Sequence, residues 1–409
     1  MTARASGQRQ FTFDYRPGEL RCGRGCVADL DEALADRGLD SALVVTGHNV
    51  GANRDVMAPV EAGLGDRLTG VFDETTPEKY LATGLAAARR VREDRIDAMV
   101  AVGSGSSLDV AKVASALGSN DDLDEAARET LDTGSVPVAD DASPTPVVAV
   151  PTTLAGADLS VVGGVGLTLD PEDTPEEAVP GGGVSDGRLM PAALFYDLAL
   201  FETTPKSVLC ASAMNGFDKA VECLYSPYAT PVTDGTATRA LSLMQSGFET
   251  LPEAEMDEDP LYESVAGVVL AQYGVSTPAA YRLSVIHAFG HGFSDYGIHQ
   301  GTAHGILAPH VLGYLFEEVD GRRDLLAEGL GVSDDDATDE ELAERVVDAV
   351  AGVRDDLGLP SRLRAVDGLS REDFSSIAEV VVDDSILDDA PEGIDPDTDD
   401  VLAVLDDAW

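Results

Sequence analysis

Lysine is scarce in this chain. Only four of the 409 residues are lysine, and lysine and arginine together number 27 against 75 aspartates and glutamates, so the formal net charge is −48. Nucleic acids and anionic membrane surfaces repel a protein of this charge, and the composition disfavours both as partners. Self-repulsion on this scale is tolerated where salt screens it, because the Debye length falls to about 3 Å near 1 M. We therefore expect a cytoplasmic, halophilic protein.

Cysteines and long apolar runs are also few. The four cysteines are scattered without CxxC spacing, which predicts free thiols in a reducing compartment rather than disulfides or a zinc site. No run of about twenty apolar residues could span a bilayer, and no N-terminal apolar segment resembles a signal peptide. Disorder is another common reason for strong acidity, but here 44% of the residues are hydrophobic, enough for a large core.

Apolar and helical segments alternate through the first half of the chain. The clearest apolar runs are residues 42–45, 98–102 and 147–150. Residues 79–92 have a helical pattern, and from about residue 205 onward the pattern is helical. We expect an N-terminal α/β dinucleotide-binding domain over residues 1–203, with a parallel sheet and crossover helices, and an all-α C-terminal domain over residues 204–409.

Two stretches in the first half are rich in proline, aspartate and glycine. They are residues 118–146 and 170–191. We interpret both as acidic surface excursions rather than as linkers between domains.

The most informative segment is residues 97–112, which read DAMVAVGSGSSLDVAK. An apolar run passes into a glycine and serine turn and then into a helical segment. Gly103 and Gly105 would let backbone N–H groups approach an anion, and the helix N-terminus adds partial positive charge. Hydroxyl donors would come from Ser104, Ser106 and Ser107. The spacing matches neither GxGxxG nor GxxxxGK[ST], so the segment alone predicts an anion site, with pyrophosphate as the natural ligand.

A second apolar run ends in a distinctive turn, VVAVPTTLAGAD at residues 147–158. A loop of the GGGSxxDxAK type followed by VPTT is typical of the iron-containing alcohol dehydrogenase family, and the chain resembles that family at both places. The resemblance continues in RCGRG at residues 21–25 and in LAPHV at residues 307–311. It covers essentially the whole chain. It implies reversible hydride transfer between a nicotinamide cofactor and a small alcohol or carbonyl compound, in a homodimer or larger homo-oligomer.

The resemblance also implies a set of cofactor-binding residues. The residues that would hold the pyrophosphate and the nicotinamide side are Gly103, Ser104, Gly105, Ser106, Ser107 and Asp109. Thr152 and Thr153 would lie beside the nucleotide.

The end of the first cofactor strand bears on the choice between NAD and NADP. The strand ends in VVTGHN, and members of the family that use NAD often carry an aspartate after the threonine, where this chain has Gly47. A 2′-phosphate therefore has room, with Asn49, Asn53 or Arg54 as possible donors, and we expect NADP. The alternative is that Gly47 only shapes the turn and both cofactors are accepted.

The family's metal site is altered in this chain. The resemblance implies a DxxxHxxE helix followed by two more histidines, and the corresponding segment reads MNGFDKAVE at residues 214–222. With Glu222 on the family's glutamate, the four ligand positions become Asn215, Lys219, His287 and Gln300. A protonated lysine does not ligate a metal and repels a dication, so we expect no metal. Lys219 would instead polarise the substrate oxygen as an ammonium donor.

The other polar residues of this set would support that step. His287 and His291 have helical spacing in HAFGH and would orient the substrate and relay the proton. Asn215 and Gln300 would complete the polar lining. Preorganised donors of this kind stabilise the alkoxide that forms when a carbonyl accepts a hydride.

Two other interpretations remain open. A shift of the helix register by three residues would make Asp218, Glu222, His287 and His299 the ligands of zinc or iron in a metal-dependent alcohol dehydrogenase. In the other interpretation, the chain is a nucleotide-binding homologue that lost its catalytic activity together with the metal. Related cyclases such as dehydroquinate synthases use a different ligand set, and the missing ligands disfavour them.

Overall fold

An α/β part is followed by a helical part in the computed structural model, which describes residues 11–172, 174, 179–253, 256–277 and 280–409. The strands of the α/β part are β1 (Glu19–Cys22), β2 (Ala42–Gly47), β3 (Leu68–Thr75), β4 (Ala98–Gly103), β5 (Val147–Pro151), β6 (Val162–Gly166), β7 (Gly181–Ser185) and β8 (Ala193–Tyr196). Within the described residues, six of them form a parallel sheet in the order β1-β8-β5-β4-β2-β3, and β6 and β7 form an antiparallel hairpin. The predicted parallel sheet is confirmed.

Helices cover both faces of this sheet. They are α1 (Leu30–Ala35), α2 (His48–Ala52), α3 (Arg54–Leu64), α4 (Leu81–Asp94), α5 (Gly105–Gly118), α6 (Leu123–Thr133) and α7 (Leu198–Phe201). Alternate strand residues serve opposite faces: Leu43 and Met99 belong to the cluster that includes α4 and α5, whereas Val44 and Val100 pack with α3. Because both faces are covered, the central strands are continuous apolar runs, which is why they could be predicted from the sequence.

The carboxyl edge of the sheet carries the glycine and serine loop. Gly103 ends β4 with φ +124°, and Ser104 is the N-cap of α5. The backbone N–H of Thr152, just after β5, donates to the Gly103 carbonyl at 2.9 Å. The two predicted cofactor loops therefore lie side by side at the edge where ligands bind in open α/β sheets.

The two stretches interpreted as surface excursions contain regular structure, so that interpretation was incomplete. α6 lies in the first stretch; the carboxylate of its N-cap, Asp122, accepts bonds from two backbone N–H groups, and Leu123 and Ala127 are buried. β7 lies in the second and pairs with β6, while residues 173 and 175–178 lie outside the described residues. α6 buries one face and carries acidic residues on the other, and β7 buries only Val184.

The second part is helical, as predicted. Its helices are α8 (Lys206–Tyr225), α9 (Pro231–Phe248), α10 (Glu258–Gln272), α11 (Val285–His291), α12 (Gln300–Glu318), α13 (Arg323–Leu330), α14 (Asp339–Asp356), α15 (Phe374–Val382) and α16 (Thr398–Ala408). One short antiparallel pair, β9 (Ser276–Thr277) with β10 (Ala280–Tyr281), was not predicted. Over the described ranges, the apolar stretches in these helices are too short to cross a bilayer.

Helix α8 is held closely between the α/β part and α12. A Cβ at Gly301 of α12 would lie 1.7 Å from the carbonyl oxygen of Ala211 on α8. A Cβ at Gly216 of α8 would lie 2.3 Å from the carbonyl oxygen of Leu154, in the loop after β5. A side chain at either glycine would force these elements apart. Their close approach places α8 directly against the carboxyl edge of the sheet.

Candidate active site

A cleft of about 460 Å³ opens between the loop after β4 and helix α8. The predicted site residues that line it are Ser104, Gly105, Ser106, Asp109, Thr153, Asn215, Lys219 and Gln300. The structure therefore brings the predicted phosphate loop and three of the five predicted catalytic residues to one cavity, whereas His287 and His291 do not line it.

The start of α5 has the features of an anion site. Gly103 adopts a positive φ that glycine tolerates, and the N-cap Ser104 makes no side-chain capping bond. The hydroxyl groups of Ser104 and Ser106 lie 2.8 Å apart beside the helix end. The helix N-terminus offers backbone N–H groups and partial positive charge to this end of the cleft, so these residues fit the pyrophosphate of a dinucleotide.

Besides Gly103, the predicted cofactor residues Ser107 and Thr152 are buried beside the cleft rather than lining it. The Ser107 hydroxyl lies 3.2 Å from that of Thr75 on β3. Thr152 is 3% exposed, and its carbonyl accepts a bond from the Thr204 hydroxyl at 2.7 Å. Both residues hold the cofactor loops in place, and Thr153 is the threonine that faces the cavity.

Gly47 ends β2, and the exposed Asn49 lies in α2 directly after it. A carboxylate that sequence reasoning missed lies next to it, because Asp73 Oδ2 on the neighbouring strand is 3.6 Å from Nδ1 of His48. A Cβ at Gly51 would lie 2.8 Å from the Asp73 Cβ, so the two chain segments are in contact. Strand pairing between β2 and β3 creates this proximity, and no local motif signals it.

Lys79 is a second lysine in the cleft, and sequence reasoning gave it no role. Its Nζ donates to Asp109 Oδ2 at 2.9 Å, and its backbone has φ +52°. Two of the four lysines of the chain thus line one cavity. Because lysine is rare in the rest of the chain, each lysine is a candidate for a functional role, and this was the signal that the sequence offered for Lys79.

The four residues at the family's ligand positions pair with one another. The Asn215 amide donates to Gln300 Oε1 at 2.9 Å. Lys219 Nζ lies 3.2 Å from Nε2 of His287, within hydrogen-bond distance. Burial lowers the pKa of Lys219 and lowers that of His287 well below its ordinary value. A neutral imidazole therefore faces the lysine.

Glu222 lies behind His287 and is fully buried. Its Oε2 contacts Nδ1 of His287. Its Oε1 accepts bonds from the Tyr225 hydroxyl at 2.8 Å and from the backbone N–H groups of Ser284 and Ile286 at 3.1 and 2.8 Å. Burial raises the pKa of Glu222, and these donors oppose that rise.

Asp218 and His304 form a second buried acid–imidazole pair beside His287. Asp218 Oδ2 lies 3.0 Å from His304 Nδ1, although the angle of approach is not that of a hydrogen bond. Burial raises the pKa of Asp218 well above its ordinary value and lowers the pKa of His304 to about 3. Burial thus disfavours the charged form of both partners. The rings of His304 and His287 meet edge to face at 4.6 Å between centroids.

The two remaining histidines of the predicted site lie further out. The His291 ring is 6.5 Å from that of His287, and its Nδ1 is 2.6 Å from Oδ2 of Asp384. Asp384 was missed because it lies 93 residues away in the chain. His299 lines the cleft as the N-cap of α12, where its Nδ1 accepts a bond from the Gly301 N–H at 3.2 Å.

Comparison with known proteins agrees with this architecture. The profile described as iron-containing alcohol dehydrogenase matches residues 17–193, and that of the family's C-terminal domain matches residues 209–409. Maleylacetate reductase of Pseudomonas aeruginosa is 26% identical over 405 residues, covering 98% of this chain and 97% of its own. NAD-dependent methanol dehydrogenase of Bacillus methanolicus is 26% identical over 385 residues, covering 91% and 94%.

The fold is shared with solved structures as well. Sulfoacetaldehyde reductase from Bifidobacterium kashiwanohense, solved in complex with NAD+, superposes with a TM-score of 0.81 at 18% identity and covers 98% of this chain and 99% of its own. The chain belongs to the iron-containing alcohol dehydrogenase family. It is thus an NAD(P)-dependent oxidoreductase of the alcohol and aldehyde class.

The family implies an iron ion, and the residues at its position do not fit one. They are two amides, an ammonium group and an imidazole whose Nε2 is already engaged by Lys219. The alternative set is not assembled either, since Glu222 contacts His287 while His299 accepts a backbone bond. In the described ranges, no three His, Cys, Asp or Glu side chains are grouped as a metal would require.

Proposed function

We propose that the protein is an NADP-preferring alcohol dehydrogenase or carbonyl reductase that works without a catalytic metal. The observation that carries this is the placement of Lys219 Nζ in the cleft, 3.2 Å from the neutral Nε2 of His287 and beside the anion site at the start of α5. A donor stands where the family's metal would polarise the substrate.

The mechanism is built on preorganised donors. The bound nicotinamide supplies or accepts the hydride. Lys219 donates a hydrogen bond to the carbonyl oxygen and stabilises the alkoxide as the oxygen gains negative charge. Its ammonium then gives the proton that completes the alcohol. Burial lowers the pKa of Lys219, which brings it closer to the operating pH and eases this transfer.

The neighbouring polar groups orient the reactants. Asn215 and Gln300 line the substrate end of the cleft as a hydrogen-bonded pair, and the Asn215 Oδ1 has no protein partner. We expect a substrate hydroxyl to donate a hydrogen bond to this oxygen. His287 orients Lys219 through its Nε2, and His291, whose side chain is 41% exposed, is the histidine through which the proton returns from solvent to this end of the site.

The substrate and setting are part of the same proposal. We expect the substrates to be small alcohols, aldehydes or ketones. Two relatives are named for maleylacetate and for methanol, so the compounds tested should cover the sizes between these two. We also propose a cytoplasmic homodimer, with a dinucleotide-binding domain over residues 1–203 and a catalytic domain over residues 204–409.

Removal of the Lys219 amine tests the function. In Lys219→Ala we expect kcat on a panel of aldehydes and ketones to fall by a factor of a few hundred, since loss of one such donor costs about 3–4 kcal/mol of barrier. NADPH binding, followed by fluorescence titration, should persist. Lys219→Arg should rescue poorly, because a planar fork replaces a compact ammonium. Lys206→Ala is the matched control, because the Lys206 amine donates to the Leu251 carbonyl outside the cleft.

Metal content is measured on the same samples. We expect no stoichiometric iron or zinc by elemental analysis and full activity in chelator. One zinc or iron per chain, with activity lost on chelation and the ion lost from Asp218→Ala or Glu222→Ala, would overturn the lysine mechanism. Cofactor binding without turnover on any substrate would instead support an inactive homologue.

A further inference from the structure

Glu222 makes contacts that tie the structure of α11 to the chemistry of His287. The N-cap of α11, Ser284, makes no side-chain capping bond of its own. The Glu222 carboxylate, which comes from α8, takes that place by accepting from the N–H groups of Ser284 and Ile286. Such an anion at a helix N-terminus satisfies donors that would otherwise be buried without partners.

The second oxygen of the same carboxylate determines which ring nitrogen of His287 carries a hydrogen. Glu222 Oε2 contacts the ring at Nδ1, and Lys219 Nζ lies on the opposite side at Nε2. A carboxylate has no hydrogen to donate, so Nδ1 must carry one. An ammonium has no lone pair to accept with, so Nε2 must be bare. Both neighbours require the same tautomer of the ring.

We propose that Glu222 is a positioning residue for the reaction: by capping α11 and fixing His287 as the Nδ1–H tautomer, it aims the bare Nε2 at Lys219 and holds the ammonium toward the substrate. This inference rests on the proposed role of Lys219. It assigns Glu222 no contact with substrate or cofactor.

The tautomer of His287 can be observed without turnover. The chain has six histidines, so long-range 1H–15N correlation spectra of protein labelled with 15N-histidine are simple enough to resolve each ring. The His287→Asn variant assigns the His287 signals. We expect the Nδ1–H form in the unaltered protein with NADP bound. An Nε2–H form, or a mixture of the two, would overturn the proposal even if Lys219 proves essential.

The Glu222→Gln variant tests the consequence. Glutamine keeps an oxygen for the α11 cap but would direct an amide N–H at Nδ1, which forces a hydrogen onto Nε2 opposite the lysine. We expect the spectrum to switch to the Nε2–H form and kcat to fall by about 100-fold or more, with cofactor affinity unchanged. A fall in kcat with the Nδ1–H form retained would mean that Glu222 acts only through stability, against the proposal.

A matched control separates charge from position. Glu249→Gln removes the same charge from an exposed site at the end of α9 and should change neither the spectrum nor kcat. If Glu222→Gln does not fold, the spectrum of the unaltered protein still decides the tautomer. If that spectrum shows the Nδ1–H form but Lys219→Ala is fully active, the proposed function fails and the positioning contact stands.

Discussion

Gly47 is the residue at which the choice of cofactor can be changed with one substitution. Its backbone is ordinary, with φ −86°, and a Cβ there would lie 3.2 Å from the Thr75 carbonyl oxygen, so a side chain fits after a small adjustment. In Gly47→Asp we expect the preference for NADPH over NADH to reverse, because the new carboxylate repels a 2′-phosphate and accepts from ribose hydroxyls. The two dissociation constants, from fluorescence titration, should change relative to each other by about tenfold or more.

The control is Gly235→Asp, which adds the same charge at an exposed glycine of α9, where an added Cβ would meet no other part of the chain within 4 Å. Its cofactor preference should match that of the unaltered protein. Tighter binding of NADH than NADPH by the unaltered protein would contradict the assignment, and Asp73 beside His48 would then be the carboxylate responsible.

Single residues of the site could be predicted where an alignment of motifs sufficed. Asn215, Lys219 and Gln300 line the cleft, as their positions in the family's motifs implied. The partners that hold the site could not be predicted, because they depend on how distant elements pack. Glu222 reaches Ser284 across 62 residues, and neither residue has a local signal for the contact. The chemistry of the site could be inferred from the identities of its residues, whereas the contacts that hold those residues in place depend on tertiary packing.

At the scale of elements, Gln272 of α10 joins the helical part to the loop after β5. Its Oε1 accepts from the backbone N–H groups of Asp158 and Leu159, both at 2.9 Å, and its Nε2 donates to Asp158 Oδ2 at 3.3 Å. The Asp158 carboxyl is buried, and burial raises its pKa to about 6. This junction therefore contains a carboxyl group whose ionisation is unfavourable in the folded state.

The sign of the pH effect follows from linkage. The folded state keeps the Asp158 proton up to about pH 6, whereas the unfolded chain releases it near its ordinary pKa of 3.8. Stability therefore falls as pH rises from about 4 to 6, and above that the cost is complete, about 3 kcal/mol. Asp158→Asn keeps an acceptor for Gln272 and should raise the unfolding free energy more at pH 8 than at pH 5. Chemical denaturation at both values measures this.

The matched control at this junction is Asp121→Asn, an exposed aspartate on the same part of the fold. It should change stability by little at either pH. A gain for Asp158→Asn that is equal at pH 5 and pH 8, or a loss at both, would show that the buried carboxyl is not the source.

Elements could be predicted from the sequence where burial was two-sided or where helices were long. The runs that became β2, β4 and β5 are apolar at every position because both faces of the sheet are covered. The sequence analysis did not predict β7 or the β9–β10 pair, since β7 is mostly glycine and β9 and β10 are two residues each. It also missed α6, although the buried Leu123, Ala126 and Ala127 recur with helical spacing, because the composition of the surrounding stretch was given more weight.

At the scale of the whole molecule, charge is the dominant feature. With a net charge of −48, unscreened repulsion opposes the compact state, and we expect the melting temperature to fall steadily as KCl is diluted from molar to millimolar concentrations. Scattered attractive pairs, such as Arg24 with Glu202 and Glu258, are partly exposed and offset little of this. Differential scanning calorimetry across the series provides the measurement.

A sucrose series of matched osmolality separates screening from the general exclusion of solutes, since sucrose favours compact states without screening charge. Sucrose should recover only part of the stability lost on dilution. A melting temperature that does not depend on KCl would refute the interpretation of the acidic composition as an adaptation to salt.

The engagement of every lysine side chain has a practical consequence for handling the protein. Lys112 is fully buried and donates to the Ser160 and Val162 carbonyls, Lys219 is nearly buried, Lys79 is paired with Asp109, and Lys206 donates to Leu251. Reagents that acylate surface amines should therefore react with few lysine side chains of this protein. A lysine that does react can lie in the cleft, where the modification would affect the site. Carboxylates are plentiful on the surface, so carbodiimide coupling is the gentler way to attach this enzyme to a support or a dye.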